Sequence, residues 1–348
     1  MEADVVTRAP EQAKDLYFPD GDIILCAPSA VREKTILLRV HRVVLSLYSP
    51  VFKDMFSLPS DPAVNDTLDS VPVVRMPDDA DDLEILVSTF YRPANLRYDK
   101  RDRHKRSELR SLLSLSTKYQ VDALRAQAVR YLESEWPITL EDWFFHRASM
   151  SERSRYIKVV EGDDVGDPAE NFFPEPATDL RLALDFDIPA ILPALYYRLA
   201  IGNMAYDFGE YFDDSEEHLT ANWSLLEARD WMRISRGKEH LFNKAGDLSM
   251  VFHNIPGDWC EQKQSCKAST EGQVAALRAH RSVDFARRPD LVAIILEMLE
   301  DVSKTRYSFR PMYCIYCMHV VELKLRNAAK EIWGELAEIF SLLEDDSE

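Results

Sequence analysis

The stretch PDGDIILCAPSAVREKTILLRVHRVVLSLYSPVFKDMF, residues 19–56, decides the fold of the first third of the chain. It opens on the turn signal Asp20-Gly21-Asp22, because glycine tolerates the backbone conformations that tight turns demand. The apolar run Ile23–Cys26 predicts a buried strand. The β-branched and aliphatic residues Thr35–Val40 predict its partner strand. The two runs together predict a β-hairpin.

The hydrophobic pattern takes on a helical period at His41. The apolar stripe that follows consists of Val43, Val44, Leu47 and Tyr48. Ser49-Pro50 then ends this helix and starts another, since serine caps helix N-termini and proline is tolerated at the first helical position. The apolar face of the second short helix consists of Val51, Phe52, Met55 and Phe56.

A second informative stretch lies at residues 107–132. Its later part, KYQVDALRAQAVRYL, spans residues 118–132 and carries apolar residues at helical spacing. Before it, Val71–Met76 predicts a strand, and residues 78–92 predict a helix with acidic residues at its N-terminus, where they complement the helix dipole. The chain therefore places a hairpin, two short helices, a strand and further helices in that order.

These segments resemble the BTB/POZ domain. The resemblance is carried by V-H-R-x-V-L-x-x-Y-S-P-V-F-x-x-M-F at 40–56 and by the helices of 107–132. It implies an α+β domain over residues 17–135, a small sheet packed by a helical cluster. The signature positions that it implies are Asp22, His41, Ser49, Phe52 and Tyr119. We expect Asp22 and His41 to orient the first helix, although such a pair also shapes partner pockets.

The composition narrows the classes of partner. The 348 residues carry a net charge of −18, which disfavours nucleic acid and anionic membranes as partners, because phosphate binding needs a basic surface. No apolar run approaches the length needed to span a bilayer. The first residues lack a signal-peptide pattern. We therefore expect a cytoplasmic or nuclear protein.

The rest of the chain is predicted to be mostly helical. We expect a flexible leader at 1–16, a helical extension at 136–220 with an acidic loop near 161–179, and a helical C-terminal region at 221–348. The last two regions resemble those of a group of fungal, basidiomycete-type BTB proteins. The basic run KRDRHKR at 100–106 is either a nuclear signal or a solvated helix start.

The C-terminal region also predicts one long amphipathic helix, from Glu322 to Leu343. Its stripe of apolar residues advances in steps of three and four, which indicates one buried face. The members of the stripe are Leu325, Ala328, Ile332, Leu336, Ile339 and Leu343. We interpret the stripe as internal core, since too few heptads are present to establish a coiled coil.

Four of the five cysteines lie in this region as two close pairs. The pairs are Cys260 with Cys266 and Cys314 with Cys317. Two close pairs far apart in sequence are typical of a structural zinc site, although the C-x5-C spacing is wider than usual. His253 and His319 lie near enough in sequence to replace a cysteine as ligand. The alternative is a set of buried, reduced thiols without metal.

The sequence contains no motif for phosphate binding, dinucleotide binding, zinc-protease or serine-hydrolase chemistry. We therefore expect a non-enzymatic protein. The resemblance implies self-association through the BTB domain, docking onto a cullin scaffold as a ubiquitin-ligase substrate adaptor, or both. By analogy, Lys53 is a partner-facing position. The alternative is a transcriptional or chromatin co-regulator without its own DNA-binding domain.

Overall fold

The computed structural model describes residues 9–58, 66–92, 103–160, 174–207, 220–280, 289–304 and 312–343. These residues belong to two compact units, one within residues 1–132 and the other within residues 133–348. The first unit is an α+β unit and the second is helical.

The first unit contains a five-stranded mixed sheet within the described residues. Its strands are β1 (Glu11–Tyr17), β2 (Ile23–Ser29), β3 (Lys34–Val40), β4 (Thr67–Leu68) and β5 (Val71–Arg75). The strand order is β1-β3-β2-β5-β4. Strands β2 and β3 pair antiparallel, which confirms the predicted hairpin. Strand β1 runs parallel to β3, and β5 runs parallel to β2.

Five helices complete the described part of this unit. They are α1 (Arg42–Tyr48), α2 (Pro50–Ser57), α3 (Ala80–Tyr91), α4 (Arg103–Lys118) and α5 (Asp122–Glu135). The core forms between the sheet and these helices, around fully buried side chains such as Leu38, Phe52 and Leu86. Helix α4 begins within the basic run; residues 100–102 of that run lie outside the described residues.

The predicted flexible leader is wrong where the structure describes it. Residues 11–17 form strand β1 at the edge of the sheet, with Ala13 and Leu16 buried in the core. The register of β1 against β3 shifts between Gln12 and Tyr17. This irregularity brings two residues three positions apart onto one face, so the alternation by which strands are recognised is missing from the sequence. Residues 1–8 lie outside the described part of the chain.

The predicted apolar stripe of α1 is also partly wrong. Leu45 is the buried residue of this helix. Val43 and Leu47, which the helical period assigns to the stripe, are 74% and 77% exposed. The pattern contains two apolar faces, and the periodicity alone does not tell which one meets the core.

The second unit is built from eight α-helices within the described residues. They are α6 (Leu140–Val160), α7 (Pro176–Asp185), α8 (Leu192–Ala200), α9 (Ala228–Asp247), α10 (Lys263–His280), α11 (Leu291–Lys304), α12 (Ile315–Gly334) and α13 (Leu336–Ile339). Short 3-10 helices lie at Pro189–Ile191, Trp223–Leu225 and Leu248–Phe252. Helices α7 and α8 pack against each other, joined by the short segment that contains Pro189–Ile191. None of the described helices is long and apolar enough to cross a membrane.

A buried carboxylate joins three of these helices. Asp230 of α9 accepts a hydrogen bond from the Tyr196 hydroxyl of α8 at 2.8 Å and forms an ion pair with Arg181 of α7. Its carboxylate also accepts the backbone N–H of Glu227, which closes the first turn of α9. Because a buried charge is tolerated only when it is paired and hydrogen-bonded, these contacts fix the relative positions of the three helices.

Two boundaries differ from the predictions. The acidic loop predicted near 161–179 ends earlier, because Glu175 is the N-cap of α7 and accepts the backbone N–H groups of Ala177 and Thr178; residues 161–173 lie outside the described residues. The long C-terminal helix begins at Ile315 and ends at Gly334, and the short α13 follows. Most of its predicted stripe is buried, but Leu343 is 76% exposed.

The packing of α9 against Phe340 predicts a strong effect of a small substitution. A Cβ atom added at Gly237 meets Phe340 Cε1 at 2.0 Å, and Phe340 is fully buried. We expect Gly237→Ala to lower the free energy of unfolding by about 1–3 kcal/mol through overpacking. Urea denaturation followed by circular dichroism measures this change.

The matched control is Gly272→Ala in α10, where an added Cβ has no neighbour within 4 Å. This substitution raises helix propensity without a steric clash, so we expect stability to increase by up to about 1 kcal/mol. Equal denaturation midpoints for the two variants contradict the packing described for Gly237.

Candidate metal centre and candidate contact surface

The second unit brings its four cysteines together in one buried cluster. The sulfur atoms of Cys260, Cys266, Cys314 and Cys317 all lie within 4.8 Å of one another. The cysteines are free thiols, and each is at most 6% exposed. We call these residues the four-cysteine cluster.

Two helix starts position the cluster. Cys260 lies in the turn before α10 and Cys266 in the first turn of that helix. Cys314 is the N-cap of α12, and its sulfur accepts the backbone N–H of Cys317 at 3.5 Å. The backbone N–H of Cys314 in turn donates to Cys266 Sγ at 3.2 Å. The wide C-x5-C spacing is accommodated because a turn separates the first cysteine from the helix.

The geometry fits a tetrahedral metal ion. Zinc holds thiolates at about 2.3 Å, so tetrahedral coordination places its sulfur ligands about 3.8 Å apart. Cys260 Sγ and Cys314 Sγ are 3.8 Å apart. The same distance is far longer than a disulfide bond, which measures about 2.05 Å. This pair is thus spaced for a shared ion and not for a direct sulfur–sulfur bond.

The cysteine thiols of the cluster differ in pKa. Burial acts to raise the pKa of Cys314, but hydrogen bonds from the Cys317 backbone N–H and the neighbouring thiols outweigh it and lower the pKa to about 7. Burial raises the pKa of Cys266 to about 11 and raises that of Cys317 as well. Cys314 therefore ionises at lower pH than Cys266 and Cys317.

Side-chain hydrogen bonds hold the two cysteine-bearing segments together. Ser269 of α10 donates to the Met312 carbonyl, and the Thr270 hydroxyl donates to the Tyr313 hydroxyl at 3.5 Å. Lys324 of α12 donates to the His253 carbonyl at 2.8 Å. His253 and His319 are both exposed and do not belong to the cluster, so the donor set consists of cysteines alone.

The fifth cysteine lies apart from the four. Cys26 is half-buried on β2 in the first unit, where burial raises the pKa of its thiol. Cys26 thus offers a control position for chemistry at the cluster.

In the first unit, three signature residues meet in one buried contact. The Ser49 hydroxyl donates to the Tyr119 carbonyl at 2.7 Å and accepts the backbone N–H of Phe52, which caps α2. The rings of Phe52 and Tyr119 stack with centroids 4.5 Å apart. The Tyr119 hydroxyl donates to Asp78, and burial is the main cause that raises the pKa of this phenol.

Asp22 and His41 lie at the start of α1. Asp22 Oδ1 accepts the backbone N–H of Arg42 at 2.8 Å, so the carboxylate stands at the helix N-terminus. The backbone N–H of His41 donates to the Tyr91 hydroxyl at 2.9 Å, and the His41 ring lies 3.0 Å from that oxygen through Nδ1. These contacts suit a role in orienting α1.

The first unit also exposes an apolar surface on α1. Val43 and Leu47 stand on the solvent side of α1, and we call this pair the α1 apolar face. Neither side chain is part of the core, which is formed on the other side of the helix by Leu45. Lys53 on α2 is exposed as well.

Comparison with known proteins agrees with the architecture. The family model for the BTB/POZ domain matches residues 30–135, less than a third of the chain. No curated protein matches the chain. The predicted fold class is confirmed: a BTB domain with a five-stranded mixed sheet packed by helices is followed by a mostly helical region. The resemblance of the later regions to fungal BTB proteins stays a prediction.

Proposed function

We propose that this protein is a non-enzymatic interaction protein that self-associates through its BTB domain. The BTB/POZ domain is a protein-interaction domain. The α1 apolar face is the observation that carries the proposal. Val43 and Leu47 together form an apolar surface that folding does not need, and exposed apolar surface of this kind marks contact sites.

The second unit provides the other half of the proposed function. A helical unit joined to an interaction domain suits a substrate adaptor, in which the BTB domain docks onto a cullin scaffold and the helices recruit the client. The exposed Lys53 on α2 supports this reading by analogy only.

The alternative is a transcriptional or chromatin co-regulator. The charge distribution opposes direct DNA binding: residues 133–348 contain 40 acidic against 23 Lys and Arg residues, and residues 1–132 contain 20 against 19. A co-regulator of this kind acts through protein partners, in the cytoplasm or the nucleus.

We further propose that the four-cysteine cluster holds a structural zinc ion. Four buried thiols within 4.8 Å and the helix-capping position of Cys314 support it. When bound, zinc supplies the positive charge that keeps closely spaced thiolates ionised. The cysteines tie the start of α10 to the start of α12, segments that lie 48 residues apart between Cys266 and Cys314.

The α1 apolar face predicts the oligomeric state. We expect the purified full chain to be a dimer, and Val43→Glu with Leu47→Glu to convert it to a monomer, because charges on the face oppose burial of apolar surface. Both side chains are exposed, so the free energy of unfolding of the monomer itself is expected to change by no more than about 0.5 kcal/mol. Size-exclusion chromatography with light scattering measures the mass.

Val31→Glu is the control, since Val31 is 84% exposed in the turn between β2 and β3. This variant is expected to remain a dimer. A wild-type chain that is monomeric at every concentration, or a double variant with the mass of the wild type, refutes self-association through α1.

From the four-cysteine cluster we expect one zinc ion per chain. Inductively coupled plasma mass spectrometry measures the zinc content of protein purified without chelators. Cys314→Ser is expected to lower the content below about 0.2 zinc per chain, because it removes one of four ligands. Cys26→Ser is the control and is expected to retain the metal. Wild-type protein without zinc, in which all five thiols titrate freely, excludes the proposed site.

Affinity purification from the native cell separates the adaptor from the co-regulator. The adaptor function is supported if a cullin co-purifies with the wild type and if less of it co-purifies with Lys53→Glu. Lys53 is exposed, so this charge reversal lowers affinity at an interface rim without unfolding the protein. Chromatin proteins without a cullin support the alternative. Glu33→Lys in the β2–β3 turn is the matched charge-reversal control.

A further inference from the structure

Three exposed apolar residues are sequence neighbours of the cysteines in the four-cysteine cluster. Trp259 is 79% exposed, Ile315 is 75% exposed and Tyr316 is 42% exposed. Trp259 immediately precedes Cys260, and the other two lie between Cys314 and Cys317. We call Trp259, Ile315 and Tyr316 the knuckle patch.

The cluster makes these residues neighbours. Cys260 Sγ lies 3.8 Å from Cys314 Sγ, so the residues beside each cysteine are brought close together. The ring of Tyr316 packs against the loop that leads to Trp259, since its Cε1 atom lies 3.5 Å from the point where a Cβ atom added at Gly257 would stand. Two segments more than 50 residues apart in sequence thus present one surface.

A tryptophan exposed to this degree contributes little to the core. Its ring offers a large, rigid contact area at low entropic cost, and such residues dominate binding energy at interfaces. The scaffold beneath it is rigid, because the adjoining cysteines and the segment before Cys314 are buried and hydrogen-bonded. The arrangement is therefore preorganised for a contact.

The charges around Trp259 select the partner. Asp258 and Glu261 are exposed and flank the tryptophan in sequence. The nearest cations in sequence are Lys263 and Lys267 on α10, one to two turns further along the chain. The unit as a whole has a net charge of −17, which attracts basic segments over a longer range.

We propose that the knuckle patch binds a partner polypeptide through a lysine or arginine side chain. The cationic head packs on the face of Trp259, the strongest cation–π acceptor among the side chains, with the carboxylates of Asp258 and Glu261 beside it. The aliphatic stem of the same side chain lies against Ile315 and Tyr316. The inference extends the proposed interaction function by naming the chemistry of a second contact, and it does not depend on self-association through α1.

Binding of peptides to the full chain tests the proposal. The probe is an array of random 12-residue peptides, paired with copies in which glutamine replaces every Lys and Arg. We expect binding to peptides that contain Lys or Arg next to an apolar residue and loss of binding in the glutamine copies. For peptides selected in this way, Trp259→Ala is expected to lower affinity about tenfold or more, as measured by fluorescence anisotropy.

Two further variants sharpen the result. Asp258→Asn with Glu261→Gln is expected to weaken binding severalfold and to reduce its dependence on salt, since exposed charges act through screened attraction. Phe145→Ala is the matched control, because Phe145 is 76% exposed on α6 in the same unit. Zinc content and circular dichroism are expected to stay at the wild-type level in every variant.

Several outcomes overturn the proposal. The first is binding of the glutamine copies as tight as that of the original peptides. The second is a loss of peptide affinity in Phe145→Ala equal to that in Trp259→Ala, or full affinity in Trp259→Ala. The third is an oligomer whose mass falls in Trp259→Ala while the wild type binds no peptide, which makes the patch an interface between copies. The α1 variants distinguish the two proposals: Val43→Glu with Leu47→Glu alters the oligomeric mass and leaves peptide affinity unchanged.

Discussion

The hydrogen bond from the Ser49 hydroxyl to the Tyr119 carbonyl closes the first unit across 70 residues of sequence. The same hydroxyl caps α2, and the stacked rings of Phe52 and Tyr119 bury the region around it. Ser49 therefore closes α1 through its backbone N–H, which donates to the Leu45 carbonyl, while its hydroxyl caps α2 and ties it to Tyr119, which follows α4. Because its loss leaves a buried carbonyl without a donor, this contact constrains the arrangement of the BTB domain.

The second unit depends on an analogous long-range constraint. The four-cysteine cluster joins two helix starts, while the buried Asp230 joins α7, α8 and α9. In both places a polar or ionisable group in the interior is tolerated because its partners come from distant parts of the chain. Each unit thus has an interior that is set by specific pairings as well as by apolar packing.

Both proposed contact surfaces consist of apolar side chains that the core does not bury. The α1 apolar face lies opposite the side of the helix that supplies Leu45 to the core. The knuckle patch lies beside cysteines whose own side chains point inward. In each case short segments bury some residues in the core and expose the residues beside them, so the exposed surface stands on well-packed residues.

The sequence by itself determined the hairpin and the order of the helices, because these depend on local periodicity and spacing. The BTB fold followed from the resemblance carried by residues 40–56 and 107–132, and the spacing of the cysteines predicted a metal site. It did not reveal β1, since a register shift hides the alternation. Nor did it tell that Val43 and Leu47 face solvent or that the last helix breaks at Gly334. Only the tertiary structure decided which apolar face meets the core and that four sulfur atoms lie within 4.8 Å, because both depend on contacts between residues far apart in the chain.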